Sequence, residues 1–192
     1  MEVFSELSDE ALAKRVQEKD EQALVALIGR YEPKLKRYVG RLLSNQHETE
    51  DIVQDVFVSV YRNILNFDTT RKFSPWIYRI AHNACMNAWR GQHRGVAGLD
   101  LEELDRLIPH HMHEESPATE KEKEETRVLV EDVVGKLAPK YREIVQLYYF
   151  EDFSYNEIAD VLHIPVGTVG IRLSRARDAM KKLLPADIEL TI

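Results

Sequence analysis

Cationic side chains recur at helical spacing near the C-terminal end of the chain, where they could bind DNA. Arg172, Arg175 and Lys182 fall on one face of a helix predicted over residues 165–182. The apolar residues fall on another face: Val169, Leu173, Ala176, Met180 and Leu183. An arginine in the major groove donates two hydrogen bonds to guanine and discriminates that base by about 1–3 kcal/mol. The alternative is an ordinary basic helix that faces solvent.

The preceding residues predict a second, shorter helix and a tight turn. Ser154 and Glu157 form the Ser-x-x-Glu pattern of a capping box, in which each side chain satisfies a free backbone N–H. The helix is predicted to end near Leu162, and a turn from His163 to Val166 follows, in which Pro165 favours a new helix start. Two helices with a tight turn, the second carrying outward arginines, indicate a helix-turn-helix whose second helix enters the major groove.

A second candidate nucleic-acid surface lies in the first half of the chain. No acidic residue occurs between Asp68 and Asp100, and cations there are interleaved with aromatic residues. These residues are Arg71, Lys72, Phe73, Trp76, Tyr78, Arg79, Trp89, Arg90 and Arg94. Cations that bind phosphates and aromatic faces that stack on bases suit single-stranded nucleic acid. The alternative is that Trp76 and its apolar neighbours form a core face while the arginines extend into solvent.

Helices are predicted to position these side chains, because apolar residues repeat at spacings of three and four along most of the chain. The pattern predicts a helix capped by Ser8 or Asp9, then helices over about 21–43, 47–65 and 74–91. Residues 92–118 lose this periodicity and are rich in Gly, Pro and acidic residues. We therefore predict an all-α protein with two small helical domains, residues 1–95 and 126–192, joined by a flexible acidic linker, residues 96–125.

The net charge of −7 is opposite in sign to that expected for a protein that binds a polyanion. The linker carries this whole excess, since residues 96–125 have a net charge of −7 and the flanking domains have +1 and −1. Charges act over a Debye length of about 8 Å in physiological salt. The local clusters of cations therefore remain compatible with DNA binding.

Other classes of function lack their sequence signatures. No apolar run approaches the roughly 20 residues of a membrane span, and the acidic N-terminal sequence is unlike a secretory signal. The single cysteine, Cys85, is interpreted as a small core residue and indicates a cytoplasmic protein. His110, His111 and His113 have no clear further ligand nearby, so no metal is predicted. No nucleophile–base pair or phosphate-binding loop is visible, so we predict neither an enzyme nor a cofactor.

Three segments, in this order, resemble the extracytoplasmic-function (ECF) group of bacterial sigma factors, in the sigma-70 family. ETEDIVQDVFVSVYRN is similar to the polymerase-binding helix of that group, and KFSPWIYRIAHNACMNAWR to the helix that opens and reads the minus-10 element. FSYNEIADVLHIPVGTVGIRLSRAR is similar to the minus-35 reader, with Phe153 where the family has Leu. The resemblance covers residues 9–94 and 126–184, and implies sigma domain 2, of a four-helix type, and sigma domain 4.

The resemblance implies a transcription initiation factor that brings core RNA polymerase to particular promoters. The implied partners are promoter DNA, the clamp helices of the largest polymerase subunit, the flap of the second-largest subunit, and an anti-sigma factor. The linker would lie in the RNA exit path, where its glutamates either mimic nucleic acid or only keep a spacer soluble. The alternative function is a stand-alone helix-turn-helix regulator that binds DNA without polymerase.

Residues that match the family's contact positions are implied to share their roles. Asp51, Gln54 and Asp55 match contacts to the clamp helices, and Asn83 matches the residue that holds a flipped minus-10 base. The loop over residues 63–71 matches the loop that surrounds this base. The minus-10 set comprises Asn63, Phe67, Lys72, Trp76, Arg79 and Asn83. The minus-35 set comprises Thr168, Ile171, Arg172, Ser174 and Arg175.

Three positions depart from the family pattern. Gly170 replaces a Lys or Arg, which removes a DNA contact and lowers helix propensity by about 1 kcal/mol. Ile171 replaces a Ser and offers an apolar contact to a thymine methyl group. His163 stands where Gly is common, a replacement compatible with the fold if His163 adopts a positive φ.

Overall fold

The computed structural model describes residues 2–43, 45–92 and 132–183, and every regular element in these ranges is helical. This confirms the all-α prediction. The chain divides into two compact units, and the helices of residues 2–92 and of residues 132–183 each have their own core. The predicted linker, residues 96–125, lies outside the described residues.

Four of the described N-terminal helices agree closely with the ranges that periodicity predicts, and the short first helix, Glu2–Ser5, was not predicted. The helices are α1 (Glu2–Ser5), α2 (Asp9–Gln17), α3 (Glu21–Leu42), α4 (Gln46–Asn63) and α5 (Phe73–Gln92). The sequence predicts that α4 continues to Leu65, but the chain tightens after Asn63 into a 3₁₀ turn over Ile64–Asn66.

Polar side chains begin three of these helices by accepting hydrogen bonds from free backbone N–H groups. The Ser8 hydroxyl accepts from Ala11 N at 3.2 Å and starts α2. The Asp20 carboxylate accepts from the backbone of two residues at the start of α3, at 3.0 and 3.2 Å. The Asn45 carbonyl accepts from His47 N at 3.1 Å and starts α4. Each cap of this kind stabilises its helix by about 1 kcal/mol.

Aromatic residues of α3 and α5 form the centre of the N-terminal core. Tyr31 packs edge to face on Phe73 with ring centroids 5.3 Å apart, and Tyr38 packs in the same way on Tyr78 at 5.1 Å. Such pairs contribute about 0.5–1.5 kcal/mol beyond the burial of their surface. Cys85 is fully buried in this unit, as expected of a small core residue.

The described C-terminal unit contains a helical stretch at residues 132–135, then α6 (Pro139–Val145), α7 (Tyr155–Leu162) and α8 (Val166–Leu183). Pro139 ends the earlier helical pattern as predicted, and it also begins α6, where its missing N–H costs nothing. A π-helical turn follows α6 over Gln146–Phe150, which periodicity did not indicate. The core joins both ends of the unit: Val133, Val134, Leu137, Val145, Ala176 and Met180.

Arg142 joins α6 to the helical stretch before it. Its Nη2 donates to the carbonyl of Gly135 at 2.6 Å and to that of Leu137 at 3.1 Å. These carbonyls lie at and just after the end of a helix, where backbone acceptors lack partners within the helix. Burial lowers the pKa of the Arg142 guanidinium.

The helix-turn-helix signals are confirmed in detail. Glu157 Oε2 accepts from Ser154 N at 2.8 Å and from its hydroxyl at 2.7 Å, and Glu157 N donates to the same hydroxyl at 3.3 Å. His163 adopts φ 53°, the left-handed conformation that the replacement of Gly requires. The turn between α7 and α8 is therefore built as the sequence predicts. No helix in the described ranges is long and apolar enough to cross a membrane.

Candidate nucleic-acid interface

The predicted minus-35 residues lie on the side of α8 away from its core. Thr168, Ile171, Arg172 and Arg175 follow spacings of three and four, which place them on one face of the helix, and Ser174 flanks this face. Ile171 is 56% exposed, Ser174 and Arg175 are exposed, and the other two are half-buried. The buried face consists of Val169, Leu173, Ala176 and Met180, as predicted. This face of α8 can therefore enter a groove without unpacking the core.

Gly170 lies opposite an aromatic side chain of α7. A Cβ atom added to Gly170 would stand 3.5 Å from Tyr155 Cε2, which is an ordinary van der Waals distance. The Tyr155 ring is 36% exposed, and its centroid lies 5.5 Å from that of Tyr148. Sequence analysis did not single out Tyr155 as a residue beside the second helix of the motif. Its position directly after the capping Ser154 could have indicated that it begins the first helix.

A hydrogen bond between Arg177 and a tyrosine hydroxyl ties α8 to the π-helical turn. Arg177 Nε donates to the Tyr149 hydroxyl at 2.8 Å, and this bond raises the pKa of the guanidinium. The guanidinium also lies 6.0 Å from the centre of the Tyr149 ring. Arg177 therefore holds α8 against the π-helical turn.

Four of the predicted minus-10 residues form a stripe that begins just before α5 and continues along it. Trp76, Arg79 and Asn83 are spaced by three and four residues, so they follow one another along one face of α5, and Lys72 lies one residue before the helix begins. Lys72 and Asn83 are exposed, and Trp76 and Arg79 are half-buried. The stripe alternates an aromatic ring, cations and an amide, which suits unstacked bases and their phosphates.

The loop between α4 and α5 is folded by its own hydrogen bonds. Asp68 Oδ1 accepts from the backbone and the hydroxyl of Thr70, at 2.9 and 2.7 Å, and these bonds lower the pKa of the Asp68 carboxyl. Arg71 N donates to Asp68 O at 3.0 Å. The exposed Asn63 begins the loop, and its side-chain amide donates to Ser59 O at 2.8 Å.

Phe67 lies in the core rather than on the surface of this loop. It is 5% exposed and packs on Phe73 and Trp76, with ring centroids 5.4 and 4.9 Å away. The sequence does not indicate that Phe67 is buried, because a phenylalanine that stacks on a base and one that packs in a core have the same residue type. The ring is placed behind Trp76 and supports the stripe.

The predicted polymerase-binding residues lie on the exposed face of α4. Asp51, Gln54 and Asp55 are exposed, and the face continues into apolar residues beyond them. Val58, Tyr61 and Leu65 are 40%, 63% and 72% exposed. By residue type Tyr61 would suit the buried stripe of α4, yet it lies on the exposed face. The signal that separates it is phase, since residues 58, 61 and 65 follow 51 and 54 at helical spacings.

The candidate metal cluster of the sequence, His110, His111 and His113, lies outside the described residues.

A helix-turn-helix with outward arginines is the architecture of a DNA-binding protein, and the separate stripe has side chains of the types that suit unstacked bases. Two family descriptions match the chain: Sigma-70 region 2 over residues 27–95, and Sigma-70 region 4 over residues 127–180. The ECF RNA polymerase sigma factor SigW of Bacillus subtilis is 35% identical over 180 residues, which cover 89% of this chain and 94% of SigW. The chain belongs to the sigma-70 family of RNA polymerase sigma factors, in the ECF group.

Solved structures show the same fold. CnrH, solved in complex with the cytosolic domain of CnrY, is 26% identical with a TM-score of 0.65, over 94% of this chain and 99% of that chain. RpoE of Bartonella quintana, solved in complex with the anti-sigma factor NepR, is 21% identical with a TM-score of 0.63, over 84% of this chain and 96% of that chain. Family membership supports a sigma factor over the alternative of a stand-alone regulator.

Proposed function

We propose that this sigma factor binds core RNA polymerase through α4, reads a minus-35 duplex with α8, and captures melted minus-10 bases along α5. The observation that carries the proposal is the presence in one chain of two different surfaces, each suited to a different form of DNA. One surface is a groove-sized helix face, and the other combines aromatic, cationic and amide groups. A regulator of duplex DNA would need only the first surface.

The face of α8 supports recognition of the minus-35 element by direct contacts. The exposed guanidinium of Arg175 can reach a guanine edge, and Arg172 beside it is half-buried and so more restricted. Ile171 offers an apolar surface where the family pattern has Ser, which favours a thymine at the facing position. We therefore expect a minus-35 sequence that differs from those of relatives.

The stripe of α5 and the loop before it support capture of the minus-10 element. Asn83 is exposed and carries both a donor and an acceptor, so it can pair with the edge of a flipped base. Asn63 stands at the other side of the loop, and Lys72 and Arg79 supply charge for the backbone phosphates. Phe67 contributes by supporting Trp76 from the core.

The exposed face of α4 supports the interface with core polymerase. Carboxylates of Asp51 and Asp55 would pair with basic residues of the clamp helices of the largest subunit and set the register. Val58, Tyr61 and Leu65 would then form the apolar centre of the contact, since aromatic anchors surrounded by polar groups carry most of the energy of an interface. The C-terminal unit would contact the flap of the second-largest subunit.

This sigma factor would act in the cytoplasm and perform no catalysis of its own. The energy for melting would come from captured bases and from polymerase. We also propose an anti-sigma partner, supported by the likeness to CnrH, which was solved bound to the cytosolic domain of CnrY. The functional division would follow residues 1–95, 96–125 and 126–192.

Transcription by reconstituted holoenzyme tests the proposal. Purified protein and bacterial core polymerase would be incubated with genomic DNA, and the start sites of run-off transcripts would be sequenced. We expect discrete new starts that share two upstream elements. Absence of new starts, together with absence of binding to core, would contradict the proposal.

A further inference from the structure

Helix α2 fastens both ends of the loop that surrounds the captured minus-10 base. The amide of Gln17, its last residue, donates from Nε2 to Ile64 O at 2.7 Å and to Phe67 O at 2.8 Å. Glu10 Oε1, near the other end of α2, accepts from Phe73 N at 3.0 Å. The helix lies before residues 27–95, the range matched by the region 2 family description.

The hydrogen bonds of Gln17 have one possible polarity. Both partners are backbone carbonyl oxygens, which only accept, so the side-chain nitrogen must face them. The two N–H groups of one amide therefore bridge carbonyl groups from opposite ends of the 3₁₀ turn. Ile64 O also accepts from Phe67 N at 3.1 Å, so the amide and the turn share an acceptor. Without the bridge, the Phe67 carbonyl would lose this donor and Ile64 O would keep only its bond from Phe67 N.

Glu10 and Gln17 contact the loop at two different points. The two residues are seven apart, which places them on one face of α2, two turns or about 10 Å from each other along the axis. Gln17 holds the chain where it leaves α4, and Glu10 holds it where α5 begins. The Glu10 carboxylate also lies at the positive end of α5, which is favourable for its charge.

Helix α2 is itself held rigidly on α3. The Asp9 carboxylate accepts from Arg30 Nη1 at 2.7 Å and from the Tyr31 hydroxyl at 2.6 Å. Burial, together with this bond to Asp9, raises the pKa of the Tyr31 hydroxyl, so Tyr31 remains a donor at all physiological pH values. A fixed helix with two contacts therefore sets the distance between the ends of the loop.

The contact of Gln17 leads directly to the proposed base-reading surface. Gln17 holds the carbonyl of Phe67, the Phe67 ring packs on Trp76 at 4.9 Å, and Trp76 lies in the stripe with Asn83. We propose that Gln17 is a positioning residue for minus-10 specificity, which acts by fixing the loop and the ring behind Trp76. This inference rests on the proposed function, because it assumes that the stripe reads the minus-10 strand.

The test compares base preferences of holoenzymes on a promoter library with a randomised minus-10 element. Gln17→Met keeps the length of the side chain and removes its donors. Two ordinary hydrogen bonds correspond to roughly thirtyfold in an equilibrium constant, so we expect preference at the most selective minus-10 position to fall by up to about thirtyfold. Minus-35 preference and affinity for core should remain as in the wild type. Gln22→Met, an exposed glutamine at the start of α3, is the matched control and should change neither.

Each outcome decides between the alternatives. Wild-type base preferences in folded Gln17→Met would overturn the inference. An equal loss at every promoter position and in core binding would also overturn it, because such a loss indicates a merely structural role. If Gln17→Met does not fold, Gln17→Glu retains the shape and sets an acceptor against two carbonyls, and unchanged preferences in that variant overturn the inference equally. A wild-type holoenzyme without any minus-10 preference would instead contradict the proposed function.

Discussion

At the scale of single residues, the two arginines of the α8 face differ in freedom. Arg175 is exposed and Arg172 is half-buried, so Arg175 can approach a base edge with less cost in packing. We expect Arg175→Ala to lower affinity for minus-35 DNA by about 1–3 kcal/mol, or roughly fivefold to 150-fold, with core binding intact. Lys181→Ala removes an equal charge from an exposed position of the same helix and is the control. Equal losses in the two variants would indicate nonspecific attraction, to be measured by fluorescence anisotropy at several salt concentrations.

Ile171 allows a test in which the DNA is changed rather than the protein. Replacing minus-35 thymines with deoxyuridine removes only methyl groups, and burial of one methyl stabilises a contact by about 0.8 kcal/mol. We therefore expect the wild-type protein to lose affinity about fourfold at the thymine that faces Ile171. Ile171→Ala should bind both DNA forms alike. If the variant remains as sensitive to the methyl group as the wild type, another residue makes the contact.

At the scale of elements, Gly170 makes α8 less stable than a helix with alanine at the same position would be. The residue is helical and has room for a Cβ atom, which would stand 3.5 Å from Tyr155 Cε2. Gly170→Ala should raise the free energy of unfolding by about 1 kcal/mol, because alanine has the higher helix propensity and adds a contact. Urea denaturation followed by circular dichroism measures the change. Gly167→Ala, in the first turn and with no atom within 4 Å, should gain less, and a larger gain there would contradict this explanation.

The face of α4 predicts a specific loss of polymerase binding. Asp51→Arg reverses a charge at an exposed position, so repulsion from the basic clamp should abolish binding to core while the fold is kept. Glu18→Arg makes the same reversal at an exposed residue at the end of α2 and should bind normally. Pull-down with core polymerase distinguishes the two. Normal binding by Asp51→Arg would show that the interface lies elsewhere.

The sequence predicted the elements better than the surroundings of particular side chains. Helix bounds, the capping box of Ser154 and the positive φ of His163 follow from local backbone chemistry, which a short segment carries by itself. The burial of Phe67 and the exposure of Tyr61 depend on which helices pack against them, and residue type does not encode this. The hydrogen bonds of Gln17 join residues 47 and 50 positions apart and were equally invisible.

At the scale of the whole molecule, one chain links two units, each of which is proposed to read DNA, through an acidic segment. Covalent linkage turns the second binding event into an intramolecular one, which can raise overall affinity by about 10²–10⁴. Residues 1–95 and 126–192 added as separate chains should therefore support at least about 100-fold less transcription than the intact protein at equal concentration.

A neutral Gly/Ser linker of equal length separates the two roles left open for residues 96–125. If the segment is only a spacer, the neutral linker restores transcription fully, because reach depends on length and stiffness. If the glutamates of the segment mimic nucleic acid within polymerase, the neutral linker restores promoter binding, because it rejoins the two units. It does not restore the yield of full-length RNA, because the net charge of −7 is lost. Gel-shift and run-off assays on one promoter measure both quantities. Separate halves that transcribe as well as the intact chain would show that polymerase alone brings the two units together.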